Sequence, residues 1–194
     1  KILIYCGSSR GHNPVYAEQV VKLAQALHAH GCQVIFGAGS VGLMGVLADE
    51  FLRLGGHAIG VIPQFMEPWE VKHLGIQTCH VTQSMHERKE MMAEMADAVI
   101  ALPGGFGTLD ELFEMLTWKQ LDLHQMPVTI LNTAHYYDHL IKHIDHMVQE
   151  GFLKERNLSA LHIETNPVEL VTYLMNYEPE KMEKKWIYRG KKEV

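Results

Sequence analysis

Residues 103 to 111 read Pro-Gly-Gly-Phe-Gly-Thr-Leu-Asp-Glu, a spacing suited to chemistry on a phosphorylated ligand. The segment follows a short apolar run, Ala98-Val99-Ile100-Ala101-Leu102, and leads into Leu109, Leu112, Phe113 and Leu116 at helical spacing. A strand, a glycine-rich turn and a helix in that order make a phosphate site. Glycine lets the backbone approach an anion, and a helix N-terminus offers free N–H groups and a positive dipole end. Gly104, Gly105, Gly107 and Thr108 are the candidate cradle. Glu111 sets the loop apart, because a loop built only to hold phosphate has no use for a carboxylate beside it. A loop that holds a nucleotide and cleaves it does.

A second candidate group lies at 85 to 89. Met85, Arg88, Met92 and Met95 form one stripe of a helix that starts after Ser84. An arginine on an apolar stripe must meet an anion or reach water. In a first turn the helix dipole opposes it, so a strong partner is needed. Each residue also has a plainer reading. Arg88 could snorkel, and Lys89 could be a solvated flank residue instead of a phosphate contact. Glu111 could be the fourth residue of a Thr108-Leu-Asp-Glu111 capping box. Asp110 reads as a solvated first-turn acid.

The elements that would position these residues alternate. Ile2 to Tyr5, Val34 to Phe36, His57 to Ile62, Ile76 to Val81, Val99 to Leu102 and Val128 to Leu131 read as strands. Helices are expected over about 14–30, 43–54, 85–96, 109–121, 136–150 and 167–177. Asn13-Pro14 and Asn166-Pro167 are start signals, Ser84-Met-His-Glu87 is a capping box, and Gly31 and Gly151 are stops. Near-continuous apolar strands alternating with helices predict an α/β fold. It is a Rossmann-like, doubly wound parallel sheet with helices on both faces, in one domain over residues 1–177. Residues 178–194 read as a charged C-terminal tail. Right-handed crossovers put all strand-to-helix loops on one edge. That edge then gathers three glycine-rich turns: Gly7-Ser8-Ser9-Arg10-Gly11, Gly37 to Gly45, and the 103–111 loop. Ser8 and Ser9 are further phosphate candidates. The second turn contains G-x-G-x-x-G, but no acid ends the following strand to hold a ribose, which disfavours NAD; the next acid is Glu67.

Composition bounds the remaining classes. The 194 residues are 47% hydrophobic and 21% charged, which fits a globular chain with a sizeable core. Seventeen basic against 23 acidic residues give a net charge of −6, against general nucleic-acid binding. No apolar stretch approaches the ~18 residues of a membrane span, and no signal-peptide pattern precedes the first strand. Cys6, Cys32 and Cys79 are odd in number and lack metal-ligand spacing, so free thiols in a reducing, cytoplasmic setting are expected. His135, His139 and His143 recur at i, i+4 and i+8 on one expected helix without the general base of a zinc hydrolase, and no metal site is assigned.

The same residues carry a family likeness. Pro103 to Glu111 fits the pattern P-G-G-x-G-T-x-x-E, Met85-His-Glu-Arg-Lys89 resembles a second motif, and Gly37 to Gly45 is similar to a G-G-G-x-x-G-L-M-G turn. In motif order, from the first strand to about residue 177, the chain resembles the LONELY GUY family of cytokinin riboside 5′-monophosphate phosphoribohydrolases. Related bacterial members were long labelled lysine decarboxylases. Ala38 departs from the usual glycine and is expected to narrow the approach of a ligand. The resemblance implies hydrolysis of the N-glycosidic bond of a purine nucleoside 5′-monophosphate, such as AMP or a cytokinin nucleotide. Glu111 and Arg88 are then catalytic. Glu67, Met85 and Lys89 are weaker candidates for ribose, base and phosphate. The resemblance further implies a homodimer or larger assembly and a reaction that needs no cofactor. Molybdenum-cofactor carriers have a similar fold, and a non-catalytic nucleotide carrier or sensor is the alternative reading.

Overall fold

The computed structural model describes residues 1–66 and 72–179. Seven strands form one parallel sheet: β1 (Ile2–Tyr5), β2 (Val34–Phe36), β3 (Ala58–Pro63), β4 (Thr78–Thr82), β5 (Ala98–Ala101), β6 (Val128–Leu131) and β7 (Leu161–Glu164). The order across the sheet is β4-β3-β2-β1-β5-β6-β7. Among the described residues six α-helices accompany it: α1 (Val15–Ala29), α2 (Gly42–Arg53), α3 (Met85–Met95), α4 (Phe106–Gln120), α5 (Asp138–Gln149) and α6 (Pro167–Met175).

The continuous apolar strands follow from burial on both faces. Along β1 the side chains alternate. Ile2 and Ile4 pack with α1, α2 and α6, while Leu3 and Tyr5 pack with α3, α4 and α5. Each fully buried Leu or Ile contributes roughly 1.5–3 kcal/mol, so β1 is the seam that joins both cores. It is also the switch point. The chain winds outward from β1 to β4, then α3 crosses back to place β5 on the other side of β1. Ligands of such sheets bind outside the carboxyl ends of the strands at that reversal, and here those ends are Tyr5 and Ala101.

Several start signals act as read. Asn13 Oδ1 accepts from the Val15 N–H at 3.0 Å, and Asn166 Oδ1 accepts from Val168 and Glu169. Ser84 Oγ accepts from the Glu87 N–H, while the Glu87 carboxylate reaches one residue further back, to Gln83. Gly31 and Gly151 have φ of +68° and +78°, as helix stops do. Other expectations fail for local reasons. β7 is absent from the sequence reading because it is a half-buried edge strand with no apolar run. Helix α5 starts at Asp138 rather than 136, because Asn132 Oδ1 takes the Tyr137 N–H and a 3-10 turn holds Thr133–His135. His135 therefore lies off the helix, in a left-handed conformation (φ +60°), and does not continue the row of His139 and His143. Of the expected tail, residues 180–194 lie outside the described residues.

Helix α2 is tied to α1 through a buried carboxylate. Glu50 accepts from Arg53 Nε at 2.6 Å and from Gln25 Nε2 at 2.7 Å. The Arg53 hydrogen bond, opposed by burial and helped by Gln25, draws the Glu50 carboxyl down to about 2. A depressed folded-state pKa stabilises the fold above the unfolded value and is lost as pH falls towards the folded one. Replacing Glu50 with Gln should therefore lower thermal stability most at neutral pH. The gap to the unmodified chain should close between about pH 4.5 and about pH 2, as differential scanning calorimetry across that range would record.

Candidate active site

A cleft of about 320 Å³ opens at the switch point. One wall is the end of β1 and its loop, Tyr5 to Ser8; the other is the start of α4, Gly105 to Thr108 with Asp110 and Glu111. Met85 and Arg88 of α3 close the floor with Met44 of α2, and Met66 lies at the side.

The loops meet because their glycines admit neighbours. A Cβ on Gly104 would fall 2.1 Å from Thr108 Oγ1, and one on Gly42 would fall 2.2 Å from the Ser8 carbonyl carbon. The Gly7 N–H donates to the Pro103 carbonyl, and the Leu43 N–H donates to the Gly7 carbonyl. All three glycine-rich turns are thus laced to one another. Gly105 and Gly107 differ, since a Cβ on either would meet nothing within 4 Å. Their bare backbone faces open space where a ligand could lie. The first bond of α4 runs from the Leu109 N–H to the Gly105 carbonyl. The N–H groups of Phe106, Gly107 and Thr108 therefore point out of the helix start.

This geometry revises the capping reading of Glu111. Gly105 is the N-cap of α4, so Thr108 lies inside the first turn and its hydroxyl is packed against Gly104. Glu111 sits a full turn beyond any capping position. Its side chain is 13% exposed and its Oε1 lies 4.0 Å from Arg88 Nη1.

Arg88 is buried and does not snorkel. Strand β2 stops at Phe36, opposite Gly60, which leaves Val61 without a β2 partner. The Val61 carbonyl accepts from Arg88 Nε at 3.0 Å instead. Nη2 donates to the Gly37 carbonyl at 3.3 Å, and Nη1 meets Met85 Sδ at 3.6 Å. The guanidinium lies where a Gly37 side chain would be, since a Cβ there would come 2.3 Å from Nη2. Gly37 is needed to seat an arginine, not to approach a dinucleotide. Ala38 also departs from expectation. It holds a left-handed φ of +66°, is fully buried, and lies against Gly60 rather than in the cleft.

Other candidates divide. Ser8 lines the cleft, whereas Ser9 Oγ accepts from the Gly11 N–H within its own loop. Lys89 is held by two acids: its ammonium is 3.1 Å from both Asp110 Oδ2 and Glu114 Oε1. Burial alone would lower its pKa, but the hydrogen bonds it donates to Glu114 and Asp110 outweigh this and hold it above the ordinary lysine value. Asp110 is accordingly an ion-pair partner and not simply a solvated acid. Glu67 lies outside the described residues.

Sequence reasoning missed the residues that brace the site. The Tyr136 hydroxyl donates to the Gly104 carbonyl and the Tyr137 hydroxyl to the Leu102 carbonyl, each at 2.6 Å. Tyr5 lines the cleft; burial first, then the charges of Glu111 and Glu114, raise its pKa well above the phenol range. Burial likewise raises the Cys6 thiol, with a smaller push from Glu111. Both groups stay neutral beside the charged pair. Two tyrosines thirty residues downstream gave no local signal, because only the fold brings β6 alongside β5.

Comparison with known proteins settles the family. The family model described as "possible lysine decarboxylase" matches residues 44–174. The cytokinin riboside 5′-monophosphate phosphoribohydrolase LOG7 of Arabidopsis thaliana is 42% identical over 180 residues, 93% of this chain and 83% of that protein. The chain belongs to the LONELY GUY family. Its rice relative LOG, of the same activity name, is also 42% identical over 93% of this chain and 74% of its own length. Among solved structures, the molybdenum cofactor binding protein of Rippkaea orientalis has a TM-score of 0.67 at 20% identity, covering 90% of this chain and 96% of that one. The molybdenum cofactor carrier protein of Chlamydomonas reinhardtii gives 0.65 at 19%, covering 90% and 95%. These two likenesses concern the fold.

A Gly37→Ala substitution isolates the seat of Arg88. The added methyl should displace the guanidinium from its two carbonyls and cost at least ~100-fold in turnover, the scale of a misplaced catalytic group. Far-ultraviolet circular dichroism should stay unchanged.

Proposed function

We propose that this LONELY GUY family member hydrolyses the N-glycosidic bond of a purine nucleoside 5′-monophosphate, releasing the free base and ribose 5-phosphate. The observation that carries the reading is the ion pair of Glu111 and Arg88 at the floor of the switch-point cleft, beside two glycines whose backbone is bare. The names of the relatives support the same reaction. A carrier needs no carboxylate there, and the likeness to the molybdenum-cofactor proteins is one of fold.

The 5′-phosphate lies against the start of α4, held by the N–H groups near Gly105, Gly107 and Thr108 and by the dipole of a 15-residue helix. Gly104 serves by admitting Thr108, and Ser8 adds a hydroxyl from the facing loop. The ribose then spans the cleft towards Glu111. Breaking the bond from C1′ to the base nitrogen leaves the electron pair on the base and positive charge on the ribose. The ionised Glu111 stabilises that charge, through space or by bonding to C1′. Water supplies the oxygen that ends on C1′, and a proton passes to the departing base. Arg88 keeps Glu111 ionised and oriented. Met44, Met66 and Met85 offer an adaptable apolar wall for the base. Lysine decarboxylation finds no support: a Schiff base needs a neutral amine, and Lys89, beside the cleft, is held protonated.

Two further readings belong with this one. Cys6, Cys32 and Cys79 are free, consistent with a reducing cytoplasm; no helix among the described residues is long and apolar enough to cross a membrane. The chain also forms a homodimer or larger assembly. Phe106 at the lip of the cleft is 93% exposed. Phe113 and Leu116 continue along α4 into an apolar groove of about 300 Å³ against α5 and β7, a surface that a second copy would cover. Light scattering coupled to size-exclusion chromatography should give at least twice the 22.0 kDa chain mass.

The deciding assay is chromatographic, with AMP and N6-isopentenyl-AMP as substrates. Wild type should release free base, and the faster substrate names the specificity. Glu111→Gln keeps the side chain's shape and removes its charge; it should fold normally and lose at least ~1,000-fold in turnover. Retained turnover in that variant would remove Glu111 from the reaction. Tight nucleotide binding without base release in wild type would establish the carrier reading instead.

A further inference from the structure

We propose that Lys89 is a positioning residue whose charge, placed between Asp110 and Glu114, keeps Glu111 working as a carboxylate. The proposal rests on the reading above that Glu111 acts in its ionised form. It departs from the phosphate-contact role that the motif alone implies for the lysine.

The geometry is a double cross-link between two helices. Consecutive residues of α3, Arg88 and Lys89, face consecutive residues of α4, Glu111 and Asp110, with Glu114 one turn on. Arg88 lies 4.0 Å from Glu111, while Lys89 lies 3.1 Å from each of its two acids. The lysine side chain is 9% exposed and that of Glu114 22%. Two buried cations thus face three carboxylates within five residues of one helix. Glu114, three residues on from Glu111, would otherwise stand as a like charge on the same helix face, with the more exposed Asp110 (64%) beside it, and like charges favour the protonated acid. Their hold on the ammonium cancels that push. The same contacts fix the rotation of α4 against α3, and with it the separation of Arg88 and Glu111. The other groups facing Glu111 add little charge. Tyr5 and Cys6 of β1 are both pushed towards their neutral forms by burial, and Met85 and Met66 are uncharged. Among the described residues, the charged side chains of α3 and α4 grouped with Glu111 are Arg88, Lys89, Asp110 and Glu114.

The test is a carboxyl titration of the full-length chain by carbon-13 NMR, with labelled glutamate and Glu111→Gln to assign the resonance. Lys89→Met should raise the Glu111 midpoint by about one pH unit. Lys89→Arg should restore it, and Glu114→Gln should move it the opposite way, downward. In turnover of AMP, the acid limb of kcat should follow the same order, while KM changes less than about threefold. A Glu111 midpoint that ignores Lys89→Met overturns the proposal. So does a KM that rises with kcat and its acid limb unchanged, because that pattern makes Lys89 a phosphate contact. If Lys89→Met does not fold, Glu114→Gln decides, and a midpoint that fails to fall is the negative result. An inactive wild type would remove the hydrolase reading alone, since the NMR titration needs no turnover.

Discussion

The structure depends on burying a guanidinium where a parallel sheet has just ended. Taking an arginine out of water costs several kcal/mol unless its donors are met. Here β2 stops at Phe36, opposite Gly60, while β3 runs on to Pro63, and the carbonyls at Gly37 and Val61 meet two of them. The remaining edge of the guanidinium faces Glu111. The charge is thus stabilised by backbone dipoles of two strands before any substrate enters. A carboxylate beside such a fixed cation needs little reorganisation when charge develops opposite it, which is the property that electrostatic catalysis exploits.

That arrangement constrains the sequence well beyond two charged residues. Gly37 must be bare to seat the guanidinium, Gly104 to seat Thr108, and Gly42 to let two loops touch. These glycines resemble a nucleotide fingerprint in one dimension, yet most of them serve packing between loops. In the 103–111 loop, Gly105 and Gly107 leave space above the backbone. Tyr136 and Tyr137 then pin the carbonyls on either side of Pro103 from the neighbouring connection. The loop that borders the cleft is therefore held by hydrogen bonds from residues that do not line it.

The fold and the site carry different information. Molybdenum-cofactor proteins at about 20% identity share the architecture, with TM-scores of 0.65 and 0.67, but an open α/β sheet supports many chemistries at one edge. The relatives at 42% identity share most of their length with this chain and carry one activity name. On the proposed reading, this chain's reaction depends on the charge at the bottom of the cleft. Here that charge is built from α3 and α4, the two helices whose loops lie on either side of β5 in the chain.

Strand and helix order as far as β6, the parallel sheet, and Arg88 and Glu111 as candidate groups were legible in the residues, because apolar periodicity and start signals act over a few positions. Glycine function, the true start of α4, the edge strand β7 and the direction of Lys89 were not. Each depends on what lies across a gap: Thr108 against Gly104, β6 beside Leu161, Asp110 and Glu114 opposite an ammonium. Sequence alone determined which groups could do the chemistry, since residue type sets charge and hydrogen-bonding capacity. Tertiary structure decided which of them meet, because a side chain's burial and partners are set by strands and helices distant in the chain.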